Sequence, residues 1–282
     1  MLIELNNVSH VYQDENNVKA LKNINLEISR GEFIGIVGHT GSGKSTLVQL
    51  FNGLIIPSSG TVKVNGKNIT NEKSNLKETR RHVGLVFQYP EHQLFEESVY
   101  QDIAFGPKNL GLKKDEIQER VKEVMGLVGL DYEGFKDRSP FNLSGGQQRK
   151  VAIAGVLALK PDVLVLDEPS AGLDPQGRKQ LAELLKYLYQ ELKMTIILIS
   201  HRMEEIAELA SRVIVMHQGE IVIDDNPIEV FSREQKLHKL SLDLPQITEI
   251  LHRLEEKGLQ VNTNLFSISE ASAEIIKALR SK

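Results

Sequence analysis

The sequence predicts an α/β fold built on a parallel sheet, and three features carry that reading. A short apolar strand, Phe33 to Val37, runs straight into the glycine-rich loop Gly38-His39-Thr40-Gly41-Ser42-Gly43-Lys44-Ser45-Thr46, which opens an apolar helix at Leu47 to Phe51. Two further apolar runs, Val163 to Leu166 and Thr195 to Ile199, lack the alternation of a half-exposed strand and suit strands covered on both faces. The stretch between them, Gln176 to Lys193, reads as a helix, which gives the strand–helix–strand order of a parallel sheet.

The other elements follow along the chain. Leu2 to Leu5 alternates, and Ala20 to Ile28 sets Leu21, Ile24, Leu26 and Ile28 in a partly two-residue period, so residues 1 to 35 read as β-rich with a turn at Gly31-Glu32. Pro57-Ser58-Ser59-Gly60 ends the first helix, and Thr61 to Lys67 reads as a hairpin strand with an Asn65-Gly66 turn. After a strand at Val83 to Phe87 the chain turns helical, with breaks expected at Pro90, Pro107, Gly111 and Pro140. Asp115 to Val128 carries Ile117, Val121, Val124, Met125 and Val128 at helical spacing, and Gln147 to Leu159 forms a helix that stops at Lys160-Pro161. Together these predict a helical unit of roughly 70 residues inserted into the sheet. Beyond Pro227, Gln246 to Lys257 puts Ile247, Ile250, Leu251 and Leu254 on one stripe before Gly258, and Ala273 to Arg280 carries Ile275, Ile276 and Leu279. This tail is expected to pack its apolar faces on the rest of the chain or on another chain.

With 40% hydrophobic residues over 282 positions, the chain can bury a substantial core. Its net charge of -4 and isoelectric point of about 6.1 give no overall basic field, which argues against a nucleic-acid partner. No cysteine is present, so disulfides and thiolate metal sites are excluded. Met1 to Asn6 lacks the basic start and apolar core of a signal peptide, and the longest apolar runs fall short of the roughly 20 residues that span a bilayer. A cytosolic chain is expected, and any membrane role goes through a partner.

Three stretches carry chemistry. Gly38 to Thr46 fits the P-loop pattern with its required strand and helix: glycines let backbone N–H groups turn toward β- and γ-phosphates, Lys44 supplies a cation, and the Ser45 hydroxyl can ligate Mg²⁺. Val163 to Leu166 delivers Asp167 to the carboxyl edge of the sheet, where it can hold the Mg²⁺ shell, with Glu168 beside it to polarise a water. Leu143-Ser144-Gly145-Gly146-Gln147 opens a helix whose Ser cap and small residues leave the positive end open to an anion such as a γ-phosphate. Taken alone, the acid pair is a helix N-cap region and the second glycine turn an ordinary cap. Their order after the phosphate loop is what favours the functional reading.

With these motifs in order from about residue 2 to 225, the chain resembles the ATPase subunit of ABC transporters. The resemblance implies a P-loop NTPase cassette with a RecA-like core, an N-terminal antiparallel β subdomain, an inserted helical subdomain at about 90–160 and a short C-terminal helical extension. The cassette would run over 1–227 and the extension over 228–282. It also implies that Ser144, Gly145, Gly146 and Gln147 contact ATP held by a partner's Lys44-type loop, so that two sites form only in a head-to-tail dimer. Glu168 is then the catalytic base, and Ser170-Ala171-Gly172-Leu173-Asp174 the D-loop that crosses the dimer interface; the family more often has Thr at the Ser170 position. His201, following the strand Thr195 to Ile199 at the same sheet edge as Asp167, matches the switch histidine that hydrogen-bonds the γ-phosphate. Gln88 matches the Q-loop residue that joins Mg²⁺ and the attacking water to the helical subdomain. Tyr12 either stacks on adenine or simply packs in its sheet.

The run Phe87-Gln88-Tyr89-Pro90-Glu91-His92-Gln93-Leu94-Phe95-Glu96-Glu97 is similar to the energy-coupling factor branch, whose two ATPases drive uptake of vitamins and metal ions. Ser139 to Asn142 and Val151 to Ala158 are similar to the second of those ATPases. The implied partners are a second ATPase subunit as homo- or heterodimer, a transmembrane coupling subunit and a substrate-binding membrane subunit, with the chain peripheral on the cytoplasmic face of the cell membrane. A groove bearing Leu94 and Phe95 with Glu91, Glu96 and Glu97 would suit an amphipathic helix that presents arginines; the plainer reading is a solvated acidic loop. Two other functions compete with import: an ABC-type ATPase acting on nucleic acid or ribosomes, and a nucleotide-gated protein that does not hydrolyse.

Overall fold

The computed structural model describes residues 1–13, 17–70 and 76–280. The chain opens with β1 (Ile3–Val11), β2 (Lys19–Ile28) and β3 (Phe33–Val37), then α1 (Lys44–Phe51), β4 (Ser59–Val64) and β5 (Lys67–Asn68). Next come α2 (Leu76–His82) and β6 (Val83–Val86), followed by α3 (Val99–Asn109), α4 (Lys114–Leu127), α5 (Tyr132–Phe135) and α6 (Gly145–Leu157). The sheet resumes with β7 (Val163–Asp167), α7 (Pro175–Gln190), β8 (Thr195–Ile199), α8 (Met203–Leu209), β9 (Arg212–His217) and β10 (Glu220–Asp225). The chain closes with α9 (Pro227–Phe231), α10 (Glu234–Lys239), α11 (Gln246–Glu256) and α12 (Ile268–Arg280).

Among the described residues the strands form two sheets. One is antiparallel, in the order β2-β1-β4-β5. The other runs β10-β9-β3-β8-β7-β6, parallel except for the β9–β10 hairpin. This is the α/β P-loop architecture the sequence predicts. The Asn65-Gly66 turn between β4 and β5 takes positive φ at both residues, as a tight hairpin of right-handed twist requires.

The larger sheet is covered on both faces, which is why β3, β7 and β8 read as unbroken apolar runs. One face packs against α1 and the antiparallel sheet through Ile34, Ile36, Leu47, Phe51, Val165 and Ile197. The other packs against the helices through Val37, Leu164, Leu166, Ile153, Leu185 and Ile206. A fully buried side chain of this size contributes about 1.5–3 kcal/mol. The edge that carries the functional loops is therefore anchored by a rigid apolar slab.

Several boundaries differ from expectation. Pro107 lies inside α3 instead of breaking it, with only Lys108 and Asn109 following it in the helix. The helix ends soon after, with Gly111 at φ 78. The last helix begins at Ile268 instead of Ala273, capped by the Ser267 hydroxyl, which accepts from Glu270 N. Val230, Phe231, Leu237, Leu242 and Leu244 join the same core as the helices and sheet, so the apolar packing continues past residue 227. In α11 and α12 the stripe is split: Leu251 is fully buried, whereas Ile250, Ile276 and Leu279 face outward.

Candidate functional site

β3, β6, β7 and β8 run in one direction, with Ile36 paired to Ile199, Leu166 to Leu198 and Val86 to Leu166. Their ends therefore share one edge, where Gly38, Gln88, the Asp167-Glu168 pair and His201 all leave the sheet. A residue that leaves a buried strand at such an edge starts from a point set by the sheet.

The phosphate loop is held tightly. A Cβ on Gly38 would lie 2.4 Å from the Met216 carbonyl, and one on Gly43 2.6 Å from the Ala20 carbonyl, so no side chain fits at either position. Gly41, at φ 80, meets open space instead, and Thr40 beside it is exposed. Ser42 N donates to His39 O, and the His39 ring donates through Nδ1 to Thr40 O. Lys44 folds back over this turn, its Nζ donating to Gly38 O at 2.6 Å and His39 O at 3.1 Å. Only 7% exposed, it has its pKa lowered by burial, against the opposing charges of Glu168 and Asp167. The Ser42 hydroxyl is buried without a partner. Helix α1 starts at Lys44 with no side-chain cap, which leaves its first N–H groups facing the loop.

The two acids occupy different environments. Asp167, the last residue of β7 and 8% exposed, accepts a 2.8 Å bond from the Ser45 hydroxyl. Burial pushes its carboxyl up, partly offset by that bond. Glu168 leaves the strand at φ 50, a left-handed backbone uncommon outside glycine, and its N–H donates to Ile199 O at 3.0 Å. Burial pushes its carboxyl up to about 7. Oε1 is buried without a hydrogen bond, and His201 Nε2 lies 3.4 Å from it. The half-exposed His201 ring has its pKa lowered by burial and then by the charge of Lys44. A carboxyl of this proton affinity, with a free oxygen beside an imidazole, can take a proton near neutrality.

The Tyr12 hydroxyl lies 3.2 Å from Thr46 Oγ1, and its ring meets His10 edge-on, which joins the antiparallel sheet to the loop helix. Gln88 is exposed, just past β6. Among the described residues no cluster of three or more His, Cys, Asp or Glu is arranged to hold a metal.

The remaining candidates lie elsewhere. Ser144 caps α6, its hydroxyl accepting from Gln147 N while Gln147 Oε1 accepts from Ser144 N. Gly145 and Gly146 face open space. With Asp174, the cap of α7, these residues line a surface cleft of about 990 Å³ that none of Lys44, Ser45, Asp167 and Glu168 lines. The structure thus groups Tyr12, the loop, the acids and His201 at one place, and the Ser144 turn with Asp174 at another.

One buried group escapes the sequence reading. Arg149 donates to Pro169 O at 2.9 Å and Ala171 O at 2.7 Å, and pairs with Glu91 at 3.2 Å. It ties the Ser144 helix to the segment after Gln88 and to the loop after Glu168. The available signal was helical spacing, since Arg149 shares a face with buried Ile153 four residues on. This pairing corrects the expected groove: Glu91 faces inward and Leu94 is buried, leaving exposed Phe95, partly exposed Glu96 and exposed Glu97. No helix of the described residues is long and apolar enough to cross a membrane.

Comparison with known proteins identifies the family and the fold. The family described as ABC transporter matches residues 21–171. The chain is 51% identical to the energy-coupling factor transporter ATP-binding protein EcfA2 of Clostridium tetani, over 100% of this chain and 99% of that one. It is 50% identical to the protein of the same name from Clostridium perfringens, over 99% of each. Among solved structures it resembles cbiO1 of Clostridium perfringens, part of the ABC transporter complex cbiONQ, with 40% identity and a TM-score of 0.75 over 89% of this chain and 98% of that one. It also resembles the ATP-binding cassette MJ0796, dimeric in a post-hydrolysis state with ADP and Pi, at 30% identity and a TM-score of 0.73 over 80% of this chain and 99% of the other.

Proposed function

The chain belongs to the ATP-binding subunits of ABC transporters, in the energy-coupling factor branch, and from that premise we propose how its residues do the work. It is an ATP hydrolase whose turnover is coupled to transport. The observation that carries the site assignment is Glu168, a partly exposed carboxyl whose Oε1 is buried without a hydrogen bond, beside His201 and close enough to Lys44 to interact with its charge.

In our reading the backbone N–H groups of His39 to Thr46 and the Lys44 ammonium hold the β- and γ-phosphates of ATP, and Tyr12 lies against the adenine. Ser45 and Asp167 are oxygen donors already 2.8 Å apart, and Mg²⁺ favours one or two such ligands completed by phosphates and water. They would hold it with Gln88, and its charge would offset that developing on the phosphates. Glu168 takes the proton of the attacking water, while His201 hydrogen-bonds the γ-phosphate. Ser144 to Gln147 and Asp174 serve the ATP of a second ATPase chain, alike or different, which agrees with their cleft lying apart from Lys44.

Residues 1–227 act as the cassette, with a helical subdomain at about 90–160, and 228–282 as an extension whose Val230, Phe231, Leu237, Leu242 and Leu244 join its core. Closure of two chains around ATP would move the helical part through Gln88 and Arg149, and phosphate release would reopen the pair. The chain sits on the cytoplasmic face of the membrane, bound to a transmembrane coupling subunit that works with a substrate-binding subunit to import a vitamin or transition-metal ion. The docking surface is the exposed Phe95 with Glu96 and Glu97, an apolar centre with an acidic rim. Replacing Glu96 and Glu97 by Lys is expected to abolish co-purification with the membrane subunit while the free chain still binds ATP; undiminished co-purification rejects this surface. ATP-dependent uptake by vesicles holding the complete complex tests the function as a whole.

A further inference from the structure

Glu205, on α8, has no part in the chemistry described so far. Its Oε2 accepts from the Ser170 hydroxyl at 2.9 Å and from the Ser200 hydroxyl at 3.0 Å. Ser200 Oγ in turn accepts from Arg202 N at 3.0 Å, and Arg202 Nε lies 3.4 Å from the other Glu205 oxygen. Ser200 is fully buried and Ser170 nearly so. Ser170 stands two residues after Glu168, and Ser200 immediately before His201. One carboxylate oxygen thus joins the loop that carries the base to the loop that carries the histidine. The backbone bond from Glu168 N to Ile199 O also links them, but nearer the strands. Arg149 holds the same loop from the other side, through the carbonyls of Pro169 and Ala171.

We propose that Glu205 is a positioning residue for hydrolysis: by bridging the Ser170 and Ser200 hydroxyls it fixes the spacing between Glu168 and His201 and so the alignment of base, water and γ-phosphate. The inference rests on the hydrolytic reading above. Glu205 bonds to Ser170, Ser200 and Arg202 and not to Lys44 or the phosphate loop, so its loss acts on alignment more than on nucleotide capture. Misplacement of reacting groups by an ångström costs up to about a hundredfold in rate.

The test uses the chain in its complete membrane complex and measures kcat and KM for ATP. Glu205→Ala is expected to lower kcat about tenfold or more, with KM changed less than about twofold. Glu205→Gln, which keeps an oxygen able to accept both hydroxyls, recovers most of that loss. Ser170→Ala lowers kcat by itself but adds little in the Glu205→Ala background, because both remove the same bridge. The proposal is overturned if Glu205→Ala keeps kcat within about twofold of the parent, if Gln rescues nothing, or if the Ser170→Ala loss persists in full beside Glu205→Ala. Glu168→Gln, run alongside, separates the two readings. Parental turnover in that variant sinks the hydrolytic assignment; an inactive Glu168→Gln with an undiminished Glu205→Ala sinks only the bridge.

Discussion

Replacing Glu168 by Gln is expected to lower kcat for ATP hydrolysis by about a hundredfold or more, the lower end of what a positioned general base supplies. KM for ATP should change little, because the amide keeps the shape and the Lys44 loop is intact. The carboxyl titrates at about 7 because burial disfavours its charge, so turnover of the parent falls as pH drops through that value and the base fills with protons. The variant loses that acid limb along with its rate. A parental pH profile in Glu168→Gln would assign the limb to another group.

The same shift acts on stability with a definite sign. The folded pKa of Glu168 lies above its ordinary value of 4.5, so the folded chain holds this proton more tightly than the unfolded chain does. Its contribution to stability is present below 4.5 and is lost as pH rises through about 7. Glu168→Gln should therefore melt at a higher temperature than the parent at pH 8 and show a flatter dependence of Tm on pH. A site arranged for catalysis carries a cost that its inactive variant escapes.

Replacing Lys44 by Ala is expected to weaken ATP binding at least about a hundredfold, since charge-assisted contacts are worth about 1.5–3 kcal/mol each and every 1.4 kcal/mol is tenfold. The loss has three sources. The phosphates lose their cation, and the carbonyls of Gly38 and His39 lose the donor that draws the turn together. Asp167 and Glu168 also lose a compensating positive charge, so the residual site is more repulsive toward an anion. Equilibrium binding of a fluorescent ATP analogue measures the effect, and near-parental affinity would remove Lys44 from the phosphate site.

The fold, and the gathering of the candidate residues at one sheet edge, were legible because their signals are local. A covered strand shows as an unbroken apolar run, and a loop where side chains do not fit shows as glycines at Gly38 and Gly43. The hairpin β9–β10 was not read from the sequence, although its apolar runs Val213 to Met216 and Ile221 to Ile223 are local signals of the same kind. The Arg149–Glu91 pair and the Glu205 bridge were out of reach of local signals. Glu91 stands 58 residues from Arg149 and Ser170 35 from Glu205, and only the completed sheet and helices bring them together.

The distance between the Ser144 cleft and the Lys44 loop also has a genetic meaning. On the proposed two-chain arrangement, a chain disabled at its phosphate loop still carries a sound Ser144 cap, so it would enter assemblies and waste the place it fills. Such an allele is expected to be dominant over the wild type. Two alleles damaged at opposite ends, one at Lys44 and one at Ser144, would rescue each other when made in the same cell: one shared site collects both faults and the other collects none. Rescue of that kind requires two copies of this chain to meet, so its presence or absence distinguishes a self-paired motor from one that pairs with a different ATPase.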